Sequence, residues 1–525
     1  MQATKRSFHY LFDSSQGSTD HFIARWLFLR SLGLVYFSAF FSLVYQVRGL
    51  IGARGILPAA EYMQAAQGLG ALRFWYVPTV LWFSSSNHMI VALCWTGLAA
   101  SLALVANLWP RAMLVICFCC FLSFVSVAQE FSGYQSDGML LEAGVLSIFL
   151  APSGIFPGWG RERPVMRAAM FLLLWEWFRI YFQSGVIKLE SGDPTWRNLT
   201  ATYEYYQNGP LPTWIGWYLQ HLPHWFHIAT AALTLAMELA LVWLAVLPRR
   251  WKTFCFFIVT FWQIGVIATA NYAFLKYLVL ALAFFLLDDT FLCRRNSLSH
   301  DGLNAPASRI DNAAHSNDEN ETSARTRPLS LFRTAIAAVV LVWIFYATLV
   351  PLVHMFWRGA PLPLKLVVAL EPFRVANQYG LFAVMTPHRY EIEFQGSNDG
   401  KQWEAYPFRY KPQDLSERPR VYAPYQPRFD WNLWFASLCL WQQNLIVPRT
   451  EELLLENDRD ALELFAGNPF WNAPPHFVRA VLWQYWFSTP EQKDTEGVWW
   501  RRQFLGAYAP TLARLPDGHI QVITD

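Results

Sequence analysis

Charge is scarce in this chain: only 15% of its 525 residues are Asp, Glu, Lys or Arg. Soluble domains carry roughly 25%, so the deficit points to lipid as a large part of the solvent. A bulk excess of one sign is also missing. A net charge of +3, with no long basic stripe, argues against a nucleic-acid partner. The seven cysteines do not form a disulfide framework. Cys94, Cys117, Cys119, Cys120 and Cys255 lie in apolar runs and read as small hydrophobes, which argues against thiol–disulfide exchange. The opening stretch, MQATKRSFHYLFDSSQGSTDHF, lacks an apolar core and a small-residue cleavage site, so it does not read as a signal peptide.

What is abundant is apolar and aromatic. Hydrophobic residues make up 54% of the chain, with 26 Trp and 41 Phe, a surplus that suits interfacial belts and packed membrane bundles. A span needs about 20 mostly apolar residues. By that measure about nine segments are candidates: 27–48, 89–108, 112–129, 138–152, 167–187, 227–247, 253–270, 273–288 and 333–354. The first, near Leu27, is expected to act as an uncleaved signal anchor. The fourth is short enough to be re-entrant. Lys and Arg in the short loops favour one side, which places the N-terminus in the cytoplasm. The loop 188–226 and the C-terminal region then face outward, into periplasm or lumen.

The expected organisation is a cytoplasmic N-terminus (1–26), a transmembrane domain (27–372) and a C-terminal soluble domain (373–525). Residues 294–332 are too polar and small to bury a core and read as a disordered linker. In the last domain, Arg389–Phe394 alternates with period two, then comes Gln395-Gly396-Ser397-Asn398-Asp399-Gly400, then Lys401–Tyr406. Such a pattern around Asn-Asp-Gly predicts a β-hairpin. The runs 450–466 and 475–487 read as amphipathic helices packed on it. The fold class is therefore an α-helical polytopic bundle followed by an α+β domain.

Ionisable groups inside spans are functional candidates, because each costs several kcal/mol to bury there. Glu176, Arg179 and Gln183 recur at helical spacing on one face, and Glu238 is expected at a similar depth. They read either as a buried pair that fixes helix packing or as a cluster that handles protons or substrate. Asp137 and Glu142 flank a glycine-bounded helix start, to line a cavity or to favour the helix N-terminus. The densest polar stretch, Gly185–Trp196, holds Lys188, Asp193 and Pro194. A desolvated Lys188 could serve as a base; the plainer reading is a lysine reaching for the interface. On a straight helix Lys188 turns about 120° from Glu176, so it joins that cluster only if Gly185 breaks the helix. His221, His224 and His227 have metal-like spacing but no adjacent carboxylate, so no metal is expected.

Longer motifs carry a resemblance. The runs DGMLLEAG, GVIKLESGDPTWRNLTA (185–201), RYEIEFQGSNDGKQWEAYPFRYKP (389–412), RPRVYAPYQPRFDWNLWFASL (418–438) and NPFWNAPPHFVRAVLWQYWFS (468–488) resemble the lipase maturation factor family. One departure is Trp431-Asn432-Leu433-Trp434, where the family tends to carry Gln-Met between the tryptophans. The resemblance implies polytopic proteins, in animals of the endoplasmic reticulum, that homodimeric lipases need in order to fold and assemble. It also implies an outward-facing C-terminal domain. More distantly, Gly185-Val186-x-Lys188-Leu189 followed by a Trp is similar to a segment of vitamin K-dependent γ-carboxylases and related bacterial membrane domains. That likeness implies Lys188 as the counterpart of their proposed base toward reduced quinone.

Two functions follow as expectations. The first is a maturation factor without a cofactor, whose partners are membrane lipids and a secreted client, a lipase or other hydrolase. Trp431–Trp434 and Trp499-Trp500 would contact the client or build the domain's own core. The alternative is a membrane enzyme acting on a lipid or quinone, with Lys188 as base and Glu176, Arg179 and Glu238 around it. The expected membrane is the inner or plasma membrane of a bacterium, or the endoplasmic reticulum of a eukaryote.

Overall fold

The computed structural model describes residues 2–293, 319–515 and 517–523. Its first half is a helical bundle: α1 (Phe22–Ile51), α2 (Asn87–Val105), α3 (Pro110–Val125), α4 (Gln135–Leu150) and α5 (Arg167–Glu190). Two short helices follow, α6 (Ala201–Asn208) and α7 (Trp214–Gln220), then α8 (His224–Leu239), α9 (Arg249–Thr269), α10 (Leu275–Ala283) and α11 (Glu319–Phe356). All nine apolar segments fall on helices. Among the described residues, five helices are long and apolar enough to cross a membrane: α1, α2, α8 with its extension to Val246, α9, and Phe332–Phe356 of α11. Pro110–Val125 and Leu275–Leu286 are apolar but shorter. The protein is thus a helical membrane protein. Of the linker expected over 294–332, residues 294–318 lie outside the described residues, and α11 is already helical from Glu319.

Local chemistry sets the helix ends. The Asp289 carboxylate accepts from the free N–H groups of Phe22 and Ile23, at 2.8 and 2.9 Å, and so caps α1. Pro110 starts α3, where its missing N–H costs nothing. Arg30 of α1 is buried, with its guanidinium 5.5 Å from the Trp26 ring centre. All seven cysteines are free, including Cys117 and Cys120, which share C-x-x-C spacing but are buried in α3.

The C-terminal region is an antiparallel sheet: β1 (Arg389–Ser397), β2 (Glu404–Ala405), β3 (Phe477–Phe487), β4 (Trp500–Ala507), β5 (Thr511–Arg514) and β6 (Ile520–Ile523). Their order is β2-β1-β3-β5-β6, with β4 also on β3. The hairpin turn forms where the pattern predicts it. Asp399 Oδ1 accepts from Lys401 and Gln402 N, both at 2.8 Å, and Gly400 takes φ +69°. The second arm is only two residues long. The main partner of β1 is β3, in register from Arg389↔Tyr485 to Ser397↔Phe477.

This corrects the helix expected over 475–487, which is the central strand. Val478, Ala480 and Val481 are buried, as are Tyr485 and Phe487 farther along. The buried side changes along the strand, from Val478 and Ala480 at one end to Tyr485 and Phe487 at the other, and half-buried Leu482, Trp483 and Trp486 are apolar too, so the sequence shows no period-two pattern. Over 450–466 the chain is helical in part. α12 (Arg428–Ala436) and α13 (Ile446–Leu455) pack on the sheet, and the helical run breaks at Asn457, φ 55°.

The largest of three buried apolar clusters among the described residues spans both regions. It runs from Phe28 and Tyr36 in α1, through Tyr379, to Ile392, Phe394 and Val478 in the sheet. Bundle and sheet therefore share a core.

One carboxylate gives this assembly a pH dependence. Asp430, buried in α12, accepts long bonds from Tyr410 and Lys411 N, both 3.3 Å. Burial pushes its carboxyl up to about 7, against the opposing effect of the Lys411 ammonium. An unfolded Asp titrates near 3.9, so between about pH 4 and 7 the folded state holds the extra proton and stability falls as pH rises. The slope contributed is up to about 1.4 kcal/mol per pH unit. Asp430→Asn is expected to flatten that slope. Unfolding midpoints of the detergent-solubilised protein at pH 5, 6 and 7 measure it.

Candidate functional site

α5 is continuous, so Glu176, Arg179 and Gln183 share one face, as their spacing predicts. That face meets α4 and the connector, residues 374–388, which joins α11 to β1. The Arg179 guanidinium pairs with the Glu142 carboxylate and donates to Asn377 O at 2.7 Å. The other Glu142 oxygen accepts from the backbone and side-chain N of Asn377, each at 3.1 Å, and from the Tyr379 hydroxyl at 2.9 Å. That hydroxyl lies 3.4 Å from Glu176 Oε1, and Gln183 Oε1 accepts from Tyr379 N at 3.2 Å. Glu142, Glu176, Arg179 and Gln183 are all buried. Gly138 makes the approach possible: a Cβ there would lie 2.5 Å from Asn377 Oδ1.

Lys188 belongs to a second cluster. By the 3.6-residue period it turns about 180° from Arg179. Its ammonium donates to both Glu238 oxygens, at 2.9 and 2.8 Å, and to Leu381 O at 2.7 Å, with the Trp196 ring 5.0 Å away. Glu238, expected beside Glu176 and Arg179, is therefore the partner of Lys188 on another side of α5. Gly185 does not break the helix. It lets α8 come close, since a Cβ there would meet Glu238 Cβ at 2.9 Å and Leu239 Cδ2 at 2.8 Å.

The 185–196 motif, with Ser184 just before it, also holds connector backbone. Ser184 Oγ accepts from Leu381 N at 3.1 Å, and Ser191 Oγ donates to Ala383 O at 2.9 Å. Trp196 Nε1 donates to Phe382 O at 3.0 Å. Asp193 caps the turn that Pro194 begins, accepting from Thr195 N at 2.8 Å. Its other oxygen accepts from Met385 N at 2.7 Å.

Asp137 and Glu142 do not share a cavity. Asp137 sits in the first turn of α4 and pairs with Arg428 of α12 by two parallel bonds, 2.7 and 2.8 Å. Arg428 also donates to Phe131 O at 2.6 Å and lies over the Phe124 ring at 4.9 Å. Both charges are fully buried. The chain leading to Arg428 is laced across the bundle. Asn271 donates to Arg420 O at 2.9 Å and accepts from Tyr422 N at 2.6 Å. Ser38 donates to Pro424 O at 2.7 Å, and Gln46 to Gln426 O at 2.9 Å.

Three buried clusters thus fasten connector and C-terminal domain to the spans. Asn377, Tyr379 and Arg428 were not singled out in the sequence, because their partners lie some two to three hundred positions away and no periodicity reports them. Lys276 was also not singled out, although an ionisable residue inside the candidate span 273–288 is the signal that would have found it. Trp431, Trp434 and Trp500 are buried and build the core. The histidines stack on aromatic rings, His227 on Tyr203 and His221 on Trp217, with centroids 4.2 and 4.4 Å apart.

Residues 23–294 match the lipase maturation factor transmembrane domain, and residues 375–510 match the lipase maturation factor C-terminal domain. The chain is 32% identical to lipase maturation factor 1 of Bos taurus, over 94% of this chain and 89% of that one. It is 31% identical to lipase maturation factor 2 of Gallus gallus, over 93% and 81%. Lipase maturation factor 1 of Homo sapiens is 30% identical, over 94% and 88%. No solved structure matches the chain. With both halves matched and the relatives aligned along nearly its whole length, the chain belongs to the lipase maturation factor family.

Proposed function

We propose that this protein is a membrane-embedded maturation factor that assists folding and assembly of secreted clients such as lipases. The family supports the role, and its relatives are named for it. The observation that carries the reading here is the docking of the C-terminal region on the bundle through the buried Asp137–Arg428 pair and the hydrogen bonds that hold the connector to Arg179, Glu142 and Lys188. It makes a stiff platform at one end of the spans. The opposite end carries Arg25, buried against the carbonyls of Gly160 and Arg163, and the other loop arginines near it. The proposed orientation puts that basic end in the cytoplasm and the platform in the lumen or periplasm, with nine crossings and domains at 1–26, 27–372 and 373–525. Trp471, Phe504 and Leu505 are apolar positions of the platform left exposed, each open to a client.

Lys188 is assigned a fastening role. A general base needs a free lone pair, whereas all three ammonium N–H groups of Lys188 are engaged with Glu238 and Leu381. The function is tested by co-expressing a secreted homodimeric lipase with and without the protein. The expected result is higher specific activity of the secreted lipase, at unchanged lipase mass, when the protein is present. Equal specific activity in its absence would contradict the reading.

A further inference from the structure

Beside the Lys188–Glu238 pair lies a cavity of about 370 Å³ between α8 and α9, floored by α10 and closed on one side by Phe382. That size falls in the range of small-molecule sites, about 300–1,000 Å³. Its walls are mostly apolar, with Leu219, Phe226, Phe261 and Val266 among them. Phe261 is 81% exposed and Ile264 55% exposed on α9, a helix long and apolar enough to cross a membrane. The mouth therefore opens sideways, where acyl chains lie.

The inner end is cationic. Two ammonium groups, Lys188 and Lys276, face one carboxylate, Glu238, which Lys188 already engages through both oxygens. Lys276 makes no hydrogen bond or ion pair among the described residues, and its ammonium lies 5.7 Å from the centre of the Phe382 ring. Tyr205, 6.0 Å from the same ring, lines the cavity with a buried hydroxyl that has no hydrogen-bond partner. An uncompensated ammonium and an unused hydroxyl at the closed end of an apolar, lipid-facing cavity are complementary to one class of ligand.

We propose that this cavity binds an acyl chain ending in an acidic head, with the head on Lys276 and Tyr205 and the chain running out past Phe261. A free fatty acid and one chain of an acidic phospholipid both have this chemistry. The site is independent of the maturation role.

Photoactivatable diazirine probes sharing one acyl chain separate these cases in the intact, detergent-solubilised protein: the fatty acid, its methyl ester, phosphatidic acid and phosphatidylcholine. The expected result is crosslinking on α8 or α9 by an acidic probe in preference to its neutral counterpart. Lys276→Gln should cut acidic capture about tenfold, the loss of one charge-assisted hydrogen bond, and leave the neutral probes unchanged. Gly265 lines the cavity and has open space where a Cβ would go, so Gly265→Phe should fill the site without a clash and abolish capture of every probe. The fatty acid and phosphatidic acid arms identify the source of the head group. Equal capture of acid and ester, acidic capture that survives Lys276→Gln, or no capture at all would overturn the proposal.

Discussion

Arg428→Met is expected to loosen the C-terminal domain and to lower the unfolding free energy by about 3–5 kcal/mol, the usual result of orphaning a buried charge. The substitution leaves Asp137 with no cation, in a site where water cannot replace one. It also removes the donor to Phe131 O and the guanidinium packed on Phe124. The loss should appear as a lower midpoint of thermal unfolding and as protease cleavage near 420–428, the segment laced across α1. The double variant Asp137→Leu with Arg428→Met removes both charges together. Apolar replacement of a whole buried pair is often neutral or better, so the double variant should recover most of the stability. A double variant as weak as the single one would mean that the fork's geometry, not its charge balance, holds the domain.

The second large effect is expected at Lys188. Lys188→Ala leaves Glu238 buried and unpaired and frees Leu381 O, with a loss again of about 3–5 kcal/mol. Glu238→Ala should cost a similar amount, since it orphans the ammonium. Lys188→Met with Glu238→Leu should restore most of it, less about 1 kcal/mol for the unmet Leu381 carbonyl. Unfolding curves of the four proteins in one detergent give the coupling directly. These point variants separate stability from client contact better than a truncation does. Removing 373–525 would strip Asn377 and Tyr379 from Glu142, and Leu381 from Lys188, so the bundle itself would suffer.

Much of the bundle was legible because lipid imposes its rule locally, so every apolar run of sufficient length became a helix. The hairpin was legible for the same reason, Asn398-Asp399-Gly400 carrying its turn within four residues. Strand β3 was not, because its buried side changes between Ala480 and Tyr485 and the half-buried Leu482, Trp483 and Trp486 are apolar as well, so no alternation marks the strand. The face shared by Glu176, Arg179 and Gln183 followed from helical period alone. Their true partners did not: Asn377 and Tyr379 reach them from a connector with no pattern of its own. Placing Glu238 with Lys188 required knowing which side of α5 the helix α8 packs on, and that depends on the missing Cβ of Gly185 meeting Leu239.

The central claim is that the buried Lys188–Glu238 pair joins α5 to α8, with the connector held at Leu381, and does not perform chemistry. Specific activity of a secreted lipase co-expressed with the Lys188→Met, Glu238→Leu double variant tests it most directly. The account predicts activity close to that with the wild-type protein, while Lys188→Ala alone loses most of it. A double variant present at the wild-type level in the membrane, yet as inactive as Lys188→Ala, would contradict it and assign chemistry to the lysine.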